Sequence, residues 1–162
     1  MKPPLPRVPG TAVFLSPSSD TTPLAMRANV EHNHVLHERV VIVSADSVNV
    51  PHVRRGERVT VDDLGYSDDN IAHVSARFGF QDEPNIPDAL RLAQAKGLEC
   101  DLDTEHPTFF LSRITIHVTD APGMRRWHKK IFVAVTRNAA SPVEYFGLPD
   151  ERTITIGSRI PL

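Results

Sequence analysis

Three histidines, an acid and a base fall within residues 32–39, which read His32-Asn33-His34-Val35-Leu36-His37-Glu38-Arg39. Imidazoles this close together bind zinc when a rigid element makes them converge, and a cysteine or carboxylate usually completes the set. Here they straddle a predicted helix end and a predicted strand start, so a helix-end cap and surface imidazoles are expected, with no metal site. His37, Glu38 and Arg39 stand at the mouth of that strand and read in two ways. They form an ion-paired cluster that orients the loop, or they line a ligand crevice, as strand ends of α/β sheets do.

Arg77 and Arg113 each lie among apolar neighbours on a predicted strand, where a guanidinium must be paired or exposed. Either could grip a phosphate or carboxylate through its two-pronged donor fork. Acids such as Asp82 and Glu83 offer partners within the chain instead. Arg125, Arg126, Lys129 and Lys130 form a basic strip on a predicted helix, suited to anionic lipid headgroups or an acidic partner, or simply to solvent.

For catalysis the residues offer little. There is no glycine-rich phosphate loop, no nucleophile elbow and no carboxylate pair at diagnostic spacing. Cys100 sits among Glu99, Asp101 and Asp103, whose charges disfavour a thiolate and so a nucleophile. The chain reads as a non-enzyme with no catalytic residues and no cofactor. Its net charge of −2 and pI near 6.4 give no electrostatic footprint for nucleic acid. A single cysteine rules out an internal disulfide and fits a reducing, cytosolic setting. No apolar run reaches the length of a bilayer span, and the first residues do not resemble a signal peptide.

The elements that must position these residues follow from periodicity. Residues 1–9 are proline-rich and basic and read as a linker; residues 10–162 read as one folded domain. A short buried strand covers 11–15. Thr22 as cap and Pro23 at the first turn open a helix that ends near Asn33. Residues 40–43 are Val-Val-Ile-Val, the mark of a strand buried on both faces, and the strand–helix–strand order favours a parallel pair. Residues 57–62 and 71–80 alternate and read as an antiparallel hairpin, with Ala72, Val74, Ala76, Phe78 and Phe80 inward and His73, Ser75 and Arg77 on a solvated face. Asn85 caps a helix that Gly97 ends. A long strand over 108–118, a third helix over about 124–140 stopped by Ser141-Pro142, and a last strand over 153–156 complete the chain. The fold class is α/β (mixed α+β): one mixed sheet of about six strands covered by about three helices.

An ordered set of blocks then resembles one family. RVPGTAVFL at 7–15 is followed by HNHVLHERVV at 32–41, RFGFQDEPNIPDAL at 77–90 and FFLSR at 109–113. Met124, Trp127, IF at 131–132, RNA at 137–139, YFGLP at 145–149 and a closing TITIGSRIPL complete it. Together they are similar to the C-terminal cytoplasmic domain of Kup-type potassium uptake permeases.

The resemblance implies that about a dozen transmembrane helices precede this stretch and carry potassium in with protons. The domain would then hang from the cytoplasmic face of the bacterial inner membrane, with its own transmembrane domain as partner. It implies no transport by this stretch itself. Two roles stand side by side: a structural module that holds two copies together as a homodimer through its apolar strand and exposed aromatics such as Phe146, or a regulatory module that binds a small ligand such as a nucleotide, cyclic di-AMP among them.

Overall fold

The computed structural model describes residues 5–62, 69–98, 106–117 and 141–161. They form β1 (Arg7–Ser16), α1 (Leu24–Asn33), β2 (Leu36–Val48), β3 (Val59–Asp62), β4 (Ile71–Gly79), α2 (Ile86–Ala95), β5 (Thr108–His117), α3 (Pro142–Tyr145) and β6 (Thr153–Pro161), with short 3-10 turns at Arg55–Glu57 and Asp150–Arg152. The strands make one six-stranded sheet in the order β3-β4-β2-β1-β5-β6. Only the β3–β4 pair is antiparallel; β4, β2, β1, β5 and β6 run parallel. The sheet is mixed, as the residue pattern implies. From β1 the chain steps outward through β2 to β4, then returns to β5 on the other side of β1. That is a doubly wound order, and its direction reverses between β1 and β5.

Each face carries its own core. The Val40-Val41-Ile42-Val43 run of β2 feeds both, because alternate side chains of a strand point to opposite faces. Val41 and Val43 join Val13, Val74, Phe78, Phe109 and Leu111 under the α2 residues Ile86, Ala89, Leu90 and Ala93. Val40 joins Ala12, Phe14, Leu36 and Phe110 under Ala25 of α1. On this second face Phe14 and Phe110 stack with ring centroids 4.7 Å apart, an arrangement worth about 0.5–1.5 kcal/mol beyond the area it buries.

The α2 ends are where the residue pattern places them. The Asn85 side chain accepts a hydrogen bond from the Asp88 N–H at 2.8 Å. Gly97, at φ +104°, donates to the Gln94 carbonyl while Leu98 donates to that of Ala93, which closes a Schellman motif.

Other expectations are corrected. No side chain caps α1: Pro23 itself, with ψ 131°, occupies the cap position and the helix begins at Leu24. Pro142 opens the short α3; the third helix proposed over 124–140, with its basic strip, lies outside the described residues, as do Cys100 and its acidic neighbours. β1 starts at Arg7, inside the stretch read as linker, because Arg7 and Val8 pair with Leu36 and His37.

β6 runs five residues past the alternation, from Thr153 as far as Pro161, since β5 offers it a partner along its whole length. The hairpin forms, but its second face is not solvated throughout. His73, on the face read as solvated, is 6% exposed, whereas Phe80 lies past the strand end and is 61% exposed. Phe146, read as exposed, is partly buried against the α2 core.

Candidate functional site

Parallel strands pointed the same way bring their carboxyl ends to one edge, and in doubly wound sheets that edge is where ligands lie. Here the edge is polar on the α1 face. The apolar side chains that α1 covers, Phe14 on β1 and Ile42 on β2, are each followed two residues later by serine. Ser16 pairs with Ser44 and Ser44 with Ser75, so three hydroxyls stand in one row across β1, β2 and β4. One step further along, Asp46 lies opposite Arg77, and one step back Ile42 lies opposite His73.

The groups in this row are not equally satisfied. The Ser16 hydroxyl donates to the Ser18 carbonyl at 2.7 Å, within reach of the Thr21 carbonyl at 3.1 Å, and so fixes the turn between β1 and α1. Ser75 donates to the Asp46 carboxylate at 3.3 Å. Ser44 is 0% exposed and its Oγ has no hydrogen-bond partner; Nε2 of His73 is likewise buried and unpartnered. A buried polar atom without a protein partner costs about 1–3 kcal/mol unless water or a ligand serves it. Burial holds the His73 imidazole below the ordinary histidine range, while the carboxylates of Asp62, Asp46 and Asp20 pull it back. The cluster therefore offers hydroxyls, a neutral imidazole and carboxylates. It can receive a small polar molecule that both donates and accepts hydrogen bonds.

The residues singled out from sequence are scattered. His37, Glu38 and Arg39 begin β2, at the opposite end from Asp46. His37 packs edge-on against Phe110 at 5.8 Å, its Nδ1 is buried without a partner, and burial lowers its pKa. Glu38 and Arg39 are exposed. Arg77 is exposed near the end of β4 and, among the candidates that are described residues, is the one brought to the carboxyl edge; Arg113 is exposed on β5 beside Gly157 of β6. His32 and His34 are exposed, and His34 takes the left-handed conformation that ends α1. Among the described residues no group of three His, Cys, Asp or Glu side chains is placed to hold a metal.

Asp82 does not serve Arg77 or Arg113. It accepts from the Val53 and Gly79 N–H groups at 2.9 and 2.8 Å, lies 2.8 Å from His52 Nδ1, and pairs with Arg58 at 3.3 Å. The Val53, His52 and Gly79 hydrogen bonds hold its carboxyl far below the usual range. It staples the 50–58 loop to the end of β4, next to Gly79, where a Cβ would run into the Pro51 carbonyl. Sequence reasoning missed Ser44, Asp46 and His73 as site residues. The signal was available in the switch from Val-Ile-Val to Ser-Ala-Asp within β2, a strand losing its apolar character before it ends.

The family model for the K+ potassium transporter C-terminal domain matches residues 9–162. A "Probable potassium transport system protein Kup" of Rhodococcus jostii (strain RHA1) is 51% identical over 98% of this chain and 24% of its own length. Proteins of the same description from Azoarcus sp. (strain BH72) and Myxococcus xanthus (strain DK1622) are 42% and 41% identical, over 98% and 96% of this chain and 24% and 23% of their own. The chain thus spans about a quarter of the length of the curated relatives it matches. No solved structure matches it.

Proposed function

This chain belongs to the K+ potassium transporter C-terminal domain family, and from that we propose that it is the cytoplasmic regulatory domain of a bacterial potassium uptake protein. The ion path, and any coupling of potassium to protons, belongs to a membrane-spanning portion outside this stretch. Among the described residues no helix is long and apolar enough to cross a membrane. The domain's part is to bias the transport cycle through a small ligand at its carboxyl edge.

One observation carries this reading: the row Ser16-Ser44-Ser75 with Asp46 and His73, in which two buried polar atoms lack partners. A ligand shifts a transport equilibrium only by its differential affinity for two states, so the test must read transport. Potassium uptake by the full-length protein carrying Asp46→Asn is expected to keep its maximal rate and lose its response to the cell's metabolic state. Uptake and response identical to the unmodified protein would overturn the reading.

A second role is favoured by a separate observation. β6 pairs only with β5 among the described residues, and Ile154 on it is 47% exposed. An edge strand with free backbone groups is a template for a second copy, so a homodimer joined through β6 is the structural alternative. Mass in solution decides it: a dimer that Ile154→Lys converts to monomer supports the alternative.

A further inference from the structure

Resting on the ligand-responsive reading just given, we propose that the carboxyl edge takes the ribose of a ribonucleoside, with its vicinal hydroxyls on Asp46. Four observations converge. The first is position. Asp46 is near the end of β2, the second strand of a doubly wound unit, and a carboxylate at this place is how such sheets hold a ribose diol.

The second is the chemistry of the row. An ionised carboxylate has two oxygens and only accepts. Asp46 gives one oxygen to the Ser75 hydroxyl at 3.3 Å, which leaves its other oxygen and remaining lone pairs for hydroxyl donors. The third is demand. The Ser44 Oγ, on the rung before Asp46, and the His73 Nε2, one rung further back, are both buried without a protein partner. A sugar hydroxyl, donor and acceptor at once, suits the Ser44 hydroxyl, the nearer of the two to Asp46.

The fourth is charge. Asp20 and Asp46 both bear on His73, and among the described residues the exposed Arg77 lies opposite Asp46. This excess of carboxylate disfavours a phosphate and leaves a neutral polyol acceptable. The turn from β1 to α1 agrees. In dinucleotide-binding sheets glycines there admit a pyrophosphate, whereas here Pro-Ser-Ser-Asp-Thr-Thr fills residues 17–22, without a glycine and with the carboxylate of Asp20 in the turn. The ligand is thus the nucleoside end of a metabolite, with its sugar diol unesterified.

Isothermal titration of this chain against adenosine, guanosine, cytidine and uridine tests the assignment, with 2′-deoxyadenosine, adenosine 5′-monophosphate and cyclic di-AMP as contrasts. At least one ribonucleoside is expected to bind. Removing its 2′-hydroxyl should weaken binding about tenfold or more, and its monophosphate should bind no tighter. Asp46→Asn, near-isosteric and partly exposed, should abolish binding while leaving the melting temperature in place; Ser44→Ala should weaken binding and keep the fold.

Equal affinity for the deoxynucleoside, or unchanged binding in Asp46→Asn, overturns the ribose assignment. So does cyclic di-AMP, whose riboses lack a free diol, binding more tightly than every nucleoside. If all nucleosides fail but another polar metabolite shifts the melting temperature through Asp46, the ribose falls and the ligand-responsive reading stands. If nothing binds and Asp46→Asn leaves uptake by the full-length protein unaltered, both fall.

Discussion

At the residue scale the informative side chains are those whose polar atoms are either over-served or unserved. Asp82 is the first kind, with two backbone donors, an imidazole and a guanidinium on one carboxylate. Its depressed pKa makes it a source of stability present above the unfolded carboxylate value near 4 and lost as pH falls below it. Asp82→Asn keeps the size, loses the charge, and is expected to lower the melting temperature at pH 7 by several degrees. It should also flatten the acid side of the stability profile below about pH 4, which thermal melts across pH would show. Ser44 is the second kind. Its hydroxyl is buried with nothing to bond, so Ser44→Ala should stabilise the domain by about 1 kcal/mol in urea unfolding, where truncating a served hydroxyl would destabilise it. Neither role was legible in sequence. Asp82 sits in a run of turn-forming acids that all look alike, and a serine within a strand looks the same whether or not its hydroxyl has a partner.

At the element scale legibility follows how local the cause is. The helix α2 was readable to its ends, because Asn85, Asp88 and Gly97 act within one turn of where they stand in sequence. Replacing Asn85 by alanine removes the acceptor from the Asp88 N–H and should cost about 1 kcal/mol, seen as a shifted urea midpoint at constant slope. The start of α1 was misread because Thr22 and Pro23 fit a cap-and-first-turn pattern equally well when shifted by one. Non-local pairing makes the wider errors. The alternation in 71–80 is correct for β4, but whether His73 meets water depends on what packs over that face of the sheet, and no short window of sequence contains that. The same holds for β6, whose extension to Pro161 depends on β5.

At the scale of the whole molecule, the doubly wound order gathers side chains that sequence scatters. Ser16, Ser44 and Ser75 are some thirty residues apart in turn, yet they occupy one rung. It also separates what sequence puts together, since His37-Glu38-Arg39 stays at the entry end of β2 while the polar edge forms at the exit. The fold class and the apolar strands were legible because they follow from periodicity and burial. Of the site only the polar turn of β2 at Ser44 and Asp46 could be read; the row across three strands could not, because it depends on strand order. One consequence belongs to the molecule as a unit. His37 at one end of the sheet and His73 toward the other are both lowered by burial, so each favours its neutral form in the folded chain. In the unfolded chain both take a proton near pH 6.5. Below that value the unfolded state binds more protons than the folded state, so stability declines as pH falls. The contribution is complete above about pH 6.5 and is lost progressively beneath it. Melting temperature measured from pH 8 to 5 should therefore be level at first and then fall. Because His37 and His73 lie far apart on β2 and β4, His37→Gln and His73→Gln should each remove part of that slope, with additive effects. A profile level to pH 5 in the unmodified chain, or a slope that neither substitution changes, would overturn this account, the first by showing that the carboxylates of Asp62, Asp46 and Asp20 offset the burial of His73.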